Sequence, residues 1–368
     1  MTHRLLFVAC LIVPLAAAIG PGRAEGPLVK YGDPVPRDVR EIYDAGIRYL
    51  LKTQDADGSW KDGQAGAGVT GMAMMVLLAS GEDPNYGPYR VPIRKALRNM
   101  ISQQDGGTGF FGDQRGGGHD SMYQHGFAML ALAEAYGAVD DRGLWTEPGA
   151  VKSGPGAGRP IGKALDLAVR RAVSSAKQNP LGAWRYGPDA KDADTSVSGA
   201  VLMGLLAARN AGIEVPDETI DRAIKYYVSM TGGNGQVGYS GGAGGGSDAV
   251  TSIGVLVYAI ARRQELPQYK AAVKYLVGRS LASAGQQAGM DGYPGYTDYY
   301  RAQALFQGDV AAWEKWNAGL VRALKAMQGK DGSLSGGRGM GGMQGTVTTA
   351  LYLLSLAVNF KFLPVYER

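Results

Sequence analysis

Cysteine is almost missing from this chain: of 368 residues one is cysteine, Cys10, and it lies in an apolar N-terminal run. A single thiol in that place excludes a disulfide, a thiolate metal ligand, a thioester and a cysteine nucleophile in the folded part. Histidine is nearly as scarce, with three residues, and His119, Asp120 and His125 form the one cluster. Such a cluster falls short of the usual three-ligand catalytic zinc site unless a rim acid such as Asp194 or Asp248 joins it. The preferred reading is a loop histidine and a hydrogen-bonded histidine at a helix start, so no metal and no cofactor are expected. No Asp-Asp-X-X-Asp stretch is present to hold Mg²⁺ through oxygen ligands. The Gly-rich tract 241–246 is not followed by Lys-Ser/Thr, which removes a phosphate-cradling loop. There is no long Lys/Arg run with interleaved aromatics, and the net charge is a modest +5, so nucleic acid is not an expected partner.

Long apolar runs are also lacking outside residues 5–19. That run is shorter than the roughly 20 residues a membrane span requires. It follows His3 and Arg4 and contains Ala16, Ala17 and Ala18, with a second small-residue site at Ala24, the pattern of a secretory signal. Residues 1–24 are therefore expected to be removed, leaving 25–368 as one exported domain, periplasmic or extracellular, without a transmembrane span. Cys10 sits mid-run, which disfavours a lipoprotein.

What the chain has in excess is glycine, 57 residues, about twice the usual share. Much of it belongs to a repeated phrase: an amphipathic stretch, then Gln, then a Gly turn closed by an aromatic or bulky apolar residue. Gln54, Gly58 and Trp60 form the clearest copy, Gln104, Gly109 and Phe110 the second, and Gln178, Gly182 and Trp184 the third. Weaker copies hold Gly235, Gly238 and Tyr239; Gly289, Gly292 and Tyr293; and Gln328, Gly332 and Leu334. The phrase returns about every 50 residues, the scale of an array or a closed ring.

Two kinds of helix alternate around these turns. The segments before them are amphipathic: Leu165, Ala168, Val169, Ala172, Val173 and Ala176 recur at helical spacing while Lys163, Asp166, Arg170 and Lys177 take the other face. They are predicted near 38–54, 91–104, 161–178, 217–230, 268–284 and 312–328. The segments after the turns are apolar almost all round and must be buried on most sides; they begin near 69, 121, 195, 249, 297 and 346. Between residues 137 and 160 the connection is long, rich in Gly and Pro, and carries Trp145. A loop of that length in a compact domain is an insertion with a role or a disordered one.

The phrase Gln54-Asp55-Ala56-Asp57-Gly58-Ser59-Trp60 resembles the Gln–Trp motif of squalene–hopene cyclases, in the terpenoid cyclase/protein prenyltransferase superfamily. Ala183-Trp184-Arg185-Tyr186, Asp194-Thr195-Ser196-Val197-Ser198-Gly199 and Thr346-Val347-Thr348-Thr349 are similar to exported bacterial proteins built from squalene-cyclase-type repeats. The resemblance spans about 39–358. It implies an all-α fold, an α/α toroid of about six helical hairpins in two concentric rings, with Gln54, Gln104, Gln178 and Gln328 tying outer helices to turns.

The chemistry is less complete. The cyclases protonate an alkene with an acid in an Asp-X-Asp-Asp-Thr stretch; here the nearest text is Lys191-Asp192-Ala193-Asp194-Thr195, one carboxylate short. Asp194 reads first as the cap of the third inner helix. Asp120, Asp194, Asp248 and Asp298 share a place at or before an inner-helix start, so the toroid would gather them at one mouth with Tyr123, His125, Tyr299 and Arg301, an acidic, aromatic rim. The expectation is a binding or scaffold module holding an apolar isoprenoid or another small ligand in a central cavity, with a protein partner left open. Two alternatives stand beside it: a divergent isoprenoid cyclase with Asp192 or Asp194 as proton donor, and a carbohydrate-active enzyme using rim carboxylates as an acid–base pair.

Overall fold

The computed structural model describes residues 35–62, 64–112, 121–147, 150, 152–282, 295–335, 345–360 and 362–363. Residues 1–24, Asp120, and the fifth turn with Gly289, Gly292 and Tyr293 lie outside them. Six helices are buried along one stripe: α1 (Arg37–Thr53), α3 (Arg90–Gln103), α5 (Ile161–Gln178), α7 (Asp217–Met230), α9 (Pro267–Ala282) and α11 (Val310–Met327). In α5 the buried stripe is Ile161, Ala164, Leu165, Ala168, Val169, Ala172, Val173 and Ala176. The other six are α2 (Ala67–Leu78), α4 (Ser121–Ala135), α6 (Thr195–Asn210), α8 (Asp248–Ile260), α10 (Tyr296–Gly308) and α12 (Thr346–Ala357). Every residue of α2 and α12 is buried, and α6 is buried from Thr195 to Ala208. A short antiparallel pair, β1 (Lys61–Asp62) and β2 (Gln64–Ala65), follows the first turn.

Contacts make the arrangement circular. The inner helices pack in chain order, α2 on α4, α4 on α6, and onward to α12, which returns to α2. Outside them α11 packs on α1. The chain is an all-α toroid of two concentric rings. Small residues set the inner spacing: a Cβ built on Gly126 of α4 would lie 2.7 Å from the Ala200 backbone of α6, and one on Gly204 of α6 would lie 2.8 Å from Gly126 O. Glycine is a poor helix former, so these helices owe their stability to the close approach it permits.

The turns are the fasteners. Gln54 Nε2 donates to Gly58 O in its own turn (3.1 Å) and to Pro92 O of α3 (3.0 Å). Gln104 Nε2 donates to Gly109 O (2.9 Å) and to Ala164 O of α5 (2.8 Å). Gln328 Nε2 reaches Gly332 O (3.1 Å) and Ile42 O of α1 (2.9 Å), so the last turn grips the first helix. Gly58 and Gly332 have φ of 87° and 91°, and a Cβ on either would strike the next outer helix at Lys95 O (2.4 Å) or Ala45 O (2.1 Å). Both the left-handed backbone and the close approach demand glycine.

Three members of the phrase are corrected: Gln178, Phe110 and, in the fourth turn, Tyr239, whose closing place is taken by Val237. Gln178 is exposed, and among the described residues its side-chain amide reaches Ser174 Oγ alone, at 3.4 Å. Helix α5 runs one residue further than the phrase implies, so its C-cap is Asn179, whereas α1, α3 and α11 end on Gln54, Gln104 and Gln328. Asn179 is buried and Nδ2 holds the carbonyls of Ala190 (3.0 Å) and Asp192 (2.9 Å). In the second turn the residue in the closing place is Phe111, not Phe110. Closing residues sit two past the turn glycine and donate their backbone N–H to a side chain of the following inner helix: Trp60 to Thr70, Phe111 to His125, Trp184 to Ser198, Val237 to Thr251 and Leu334 to Thr349. Trp60 and Trp184 also donate Nε1 to Leu50 O (2.8 Å) and Ala172 O (3.0 Å) of their own outer helices.

The described part of 138–160 lies against the outer ring. Arg90, Arg94 and Arg98, one turn apart on α3, converge on Glu147, Arg94 Nε at 2.9 Å. Trp145 Nε1 donates to Arg159 O (2.7 Å), and Arg159 reaches Gln104 Oε1 (2.8 Å). The described part of this connection is a strap across α3.

Candidate ligand site at the inner-helix N-termini

Asp194 is the N-cap of α6 and has no exposed surface. The third turn delivers it: Asp194 N–H donates to Trp184 O (3.1 Å), and Thr195 N–H to Tyr239 O from the fourth turn (2.9 Å). Oδ1 accepts from Val197 N–H (2.8 Å) and from the Ser196 hydroxyl (2.7 Å). Oδ2 faces the Tyr239 hydroxyl (3.5 Å) and Arg185 Nε (3.7 Å). Burial raises the carboxyl's pKa, against the bonds from Val197 and Ser196 and the charge of Arg185, which lower it.

Two hydroxyl chains meet at this carboxylate. From the interior, Tyr123 of α4 donates to Ser196 Oγ, which donates to Asp194. Toward solvent, the hydroxyls of Tyr186 and Tyr239 lie 2.6 Å apart, and Tyr239 continues to Asp194. Arg185 pairs with Asp192 and lies 5.5 Å from the Tyr186 ring centroid. The Asp192 side chain is 63% exposed. The Tyr226 hydroxyl, buried without a hydrogen-bond partner among the described residues, feels the charges of Asp194, Arg185 and Asp192.

The other rim residues do not gather here. Asp248 lies inside the first turn of α8, where Ser247 takes the cap; it pairs with Arg301 (2.8 Å) and Arg279 (3.2 Å), and Asp298 stands 3.9 Å from Arg301. Asp248, Asp298 and Arg301 thus form a second polar cluster between α8 and α10. Tyr299 is not a rim residue: its ring meets Tyr300 (4.8 Å) and, across the ring of helices, Phe127 of α4 (6.4 Å). His125 is not a rim residue either. It is fully buried, Nδ1 accepts from Phe111 N–H (3.2 Å) and Nε2 faces Ala168 O (3.0 Å), so it bridges turn to outer helix and has no nitrogen left for a ligand. Burial pulls its pKa down to about 4. Among the described residues no group of three or more His, Cys, Asp or Glu could hold a metal ion, and no helix is long and apolar enough to cross a membrane.

No family model matches the chain, and no curated protein does. Solved structures do. The type II terpene cyclase MstE from Scytonema is similar at a TM-score of 0.59 and 16% identity, over 89% of this chain and 100% of that one. An α-1,6-mannanase of Salegentibacter sp. HEL1_6, a variant inactivated at two consecutive aspartates and bound to α-1,6-mannotetrose, gives 0.57 and 9% over 88% and 99%. A family 76 glycoside hydrolase from a bovine Bacteroides thetaiotaomicron strain gives 0.58 and 8% over 88% and 78%. The likeness is one of fold. It reaches toroids of two unrelated chemistries, so function here has to be argued from the site.

Arg185, Ser196 and the pair Tyr186–Tyr239 stand in the quoted motifs but were not assigned to the site from sequence. A signal for the pair was present: each tyrosine stands two residues past a closing residue, Trp184 or Val237, in neighbouring hairpins.

Proposed function

We propose that this toroid is a binding module that takes a small ligand at the Asp194 mouth and does not protonate it. The reading extends to export of the chain, on the N-terminal pattern at 1–24. What carries it is the state of the Asp194 carboxylate. A general acid must lie within hydrogen-bond reach of the atom it protonates, yet Asp194 has no exposed surface and donors of the protein face both its oxygens. Asp192, the other acid of that stretch, is paired with Arg185 and 63% exposed, so it stands in water and not in a closed pocket where it could be brought within reach of an alkene.

Among the described residues of the Asp194 mouth, glycoside hydrolysis also lacks its pair. That reaction sets two carboxylates on either side of the scissile bond, whereas Asp192 and Asp194 share Arg185. The sequence's consecutive aspartates, Asp140 and Asp141, follow the C-terminal end of α4; Asp140 pairs with Arg142, and Asp141 accepts from Ile161 N–H (2.7 Å). The test is turnover: purified protein incubated with squalene and with geranylgeraniol, extracts analysed by mass spectrometry. No cyclised product is expected. A product made by the wild type and lost in Asp194→Asn would overturn the reading.

A further inference from the structure

We propose that the solvent-facing layer of this mouth binds a neutral polyhydroxylated ligand, of the carbohydrate class, through Tyr186, Tyr239 and Arg185; the proposal rests on the binding-module reading above. Tyr239 is 39% exposed, and the side chains of Arg185 and Asp192 are 29% and 63% exposed. With Tyr186 half-buried beside them, the accessible groups are phenols, a guanidinium and a carboxylate, on a floor whose hydrogen bonds run inward to Asp194.

Four ligand classes can be set against that surface. A hydrocarbon chain would strip water from these groups and return no hydrogen bonds, which is unfavourable. Among the described residues an anion meets two carboxylates, Asp192 and Asp194, against one guanidinium. A cation would seek a tyrosine face beside a carboxylate, but Arg185 already holds that seat, over the Tyr186 ring and between the two acids. A neutral polyol remains: its hydroxyls both donate and accept, matching phenol, guanidinium and carboxylate together, and its C–H faces pack on aromatic rings. Tyr186 and Tyr239 come from neighbouring hairpins and touch at 2.6 Å, so a ligand there would straddle the seam between the third and fourth turns.

The test is isothermal titration of the folded protein with cellotetraose, maltotetraose, isomaltotetraose and chitotetraose, each to about 10 mM, where ordinary weak sites saturate. At least one should bind saturably, and Tyr239→Phe should weaken it about 5-fold, the scale of one hydrogen bond. Tyr186→Phe, which leaves the Asp194 contact of Tyr239 in place, should weaken it similarly. No binding by any of the four, or binding indifferent to both variants, would overturn the proposal. If geranylgeraniol bound and the oligosaccharides did not, this proposal would fall and the binding-module reading would stand; isoprenoid turnover would remove that reading and, with it, the ground of this proposal.

Discussion

Replacing Gln104 with leucine, beside the same replacement of Gln178, tests whether the turn amides hold the ring. Gln104 is fully buried, donates to Gly109 O and Ala164 O, and accepts from Arg159. Gln104→Leu keeps the bulk and removes all three bonds. At about 0.5–1.5 kcal/mol for each neutral bond and somewhat more for the charged one, discounted because Arg159 is partly exposed, the loss should be about 3 kcal/mol. For a domain larger than about 250 residues, 1 kcal/mol moves the melting temperature by about 1–2 °C, so a fall of about 3–6 °C is expected. Gln178→Leu removes one long contact to Ser174 from an exposed side chain and should stay within about 0.5 kcal/mol of wild type. Scanning calorimetry with urea unfolding measures both. Equal effects of the two variants, or a fall of under about 1 °C for Gln104→Leu, would refute the reasoning.

His125 predicts acid sensitivity. Its pKa falls from 6.5 to about 4 on folding, so below pH 6.5 the unfolded chain takes up a proton that the folded one refuses. Stability should be lost progressively as pH falls from about 6.5 to about 4, by about 3 kcal/mol in all; melting curves of His125→Gln should be flatter across that range, and equal slopes would count against the buried neutral bridge. Gly126→Ala places a methyl against the Ala200 backbone and should destabilise by about 1–3 kcal/mol through overpacking, read as a lower urea midpoint; an unchanged midpoint would mean that α4 and α6 are not in close contact.

Much of the ring was legible because burial leaves a periodic mark. The stripe of α5 and the all-round apolarity of α6 name their layers without coordinates, and every helix begins within a few residues of its expected place. The third fastener was not legible, because Gln178 and Asn179 are adjacent amides and only the end of α5 decides which one leaves the helix. The rim acids misled for a similar reason. Asp194 and Asp248 look equivalent in sequence, but Ser247 takes the cap of α8 and turns Asp248 toward Arg301. His125 could have been placed better: the inner helices carry Thr70, Ser198, Thr251 and Thr349 where α4 carries His125, and all five accept a backbone N–H from the preceding turn.

The central claim is that the Asp194 carboxylate belongs to the fold. Buried catalytic acids are held at a cost to stability, so their removal commonly stabilises a protein, whereas removing an N-cap destabilises it by about 0.5–2 kcal/mol. The decisive measurement is the melting temperature of Asp194→Ala beside Asp194→Asn. We predict a fall of about 1–4 °C for alanine and a smaller one for asparagine, which still caps. A rise in melting temperature for Asp194→Ala would contradict the account and return Asp194 to the role of an acid held for reaction.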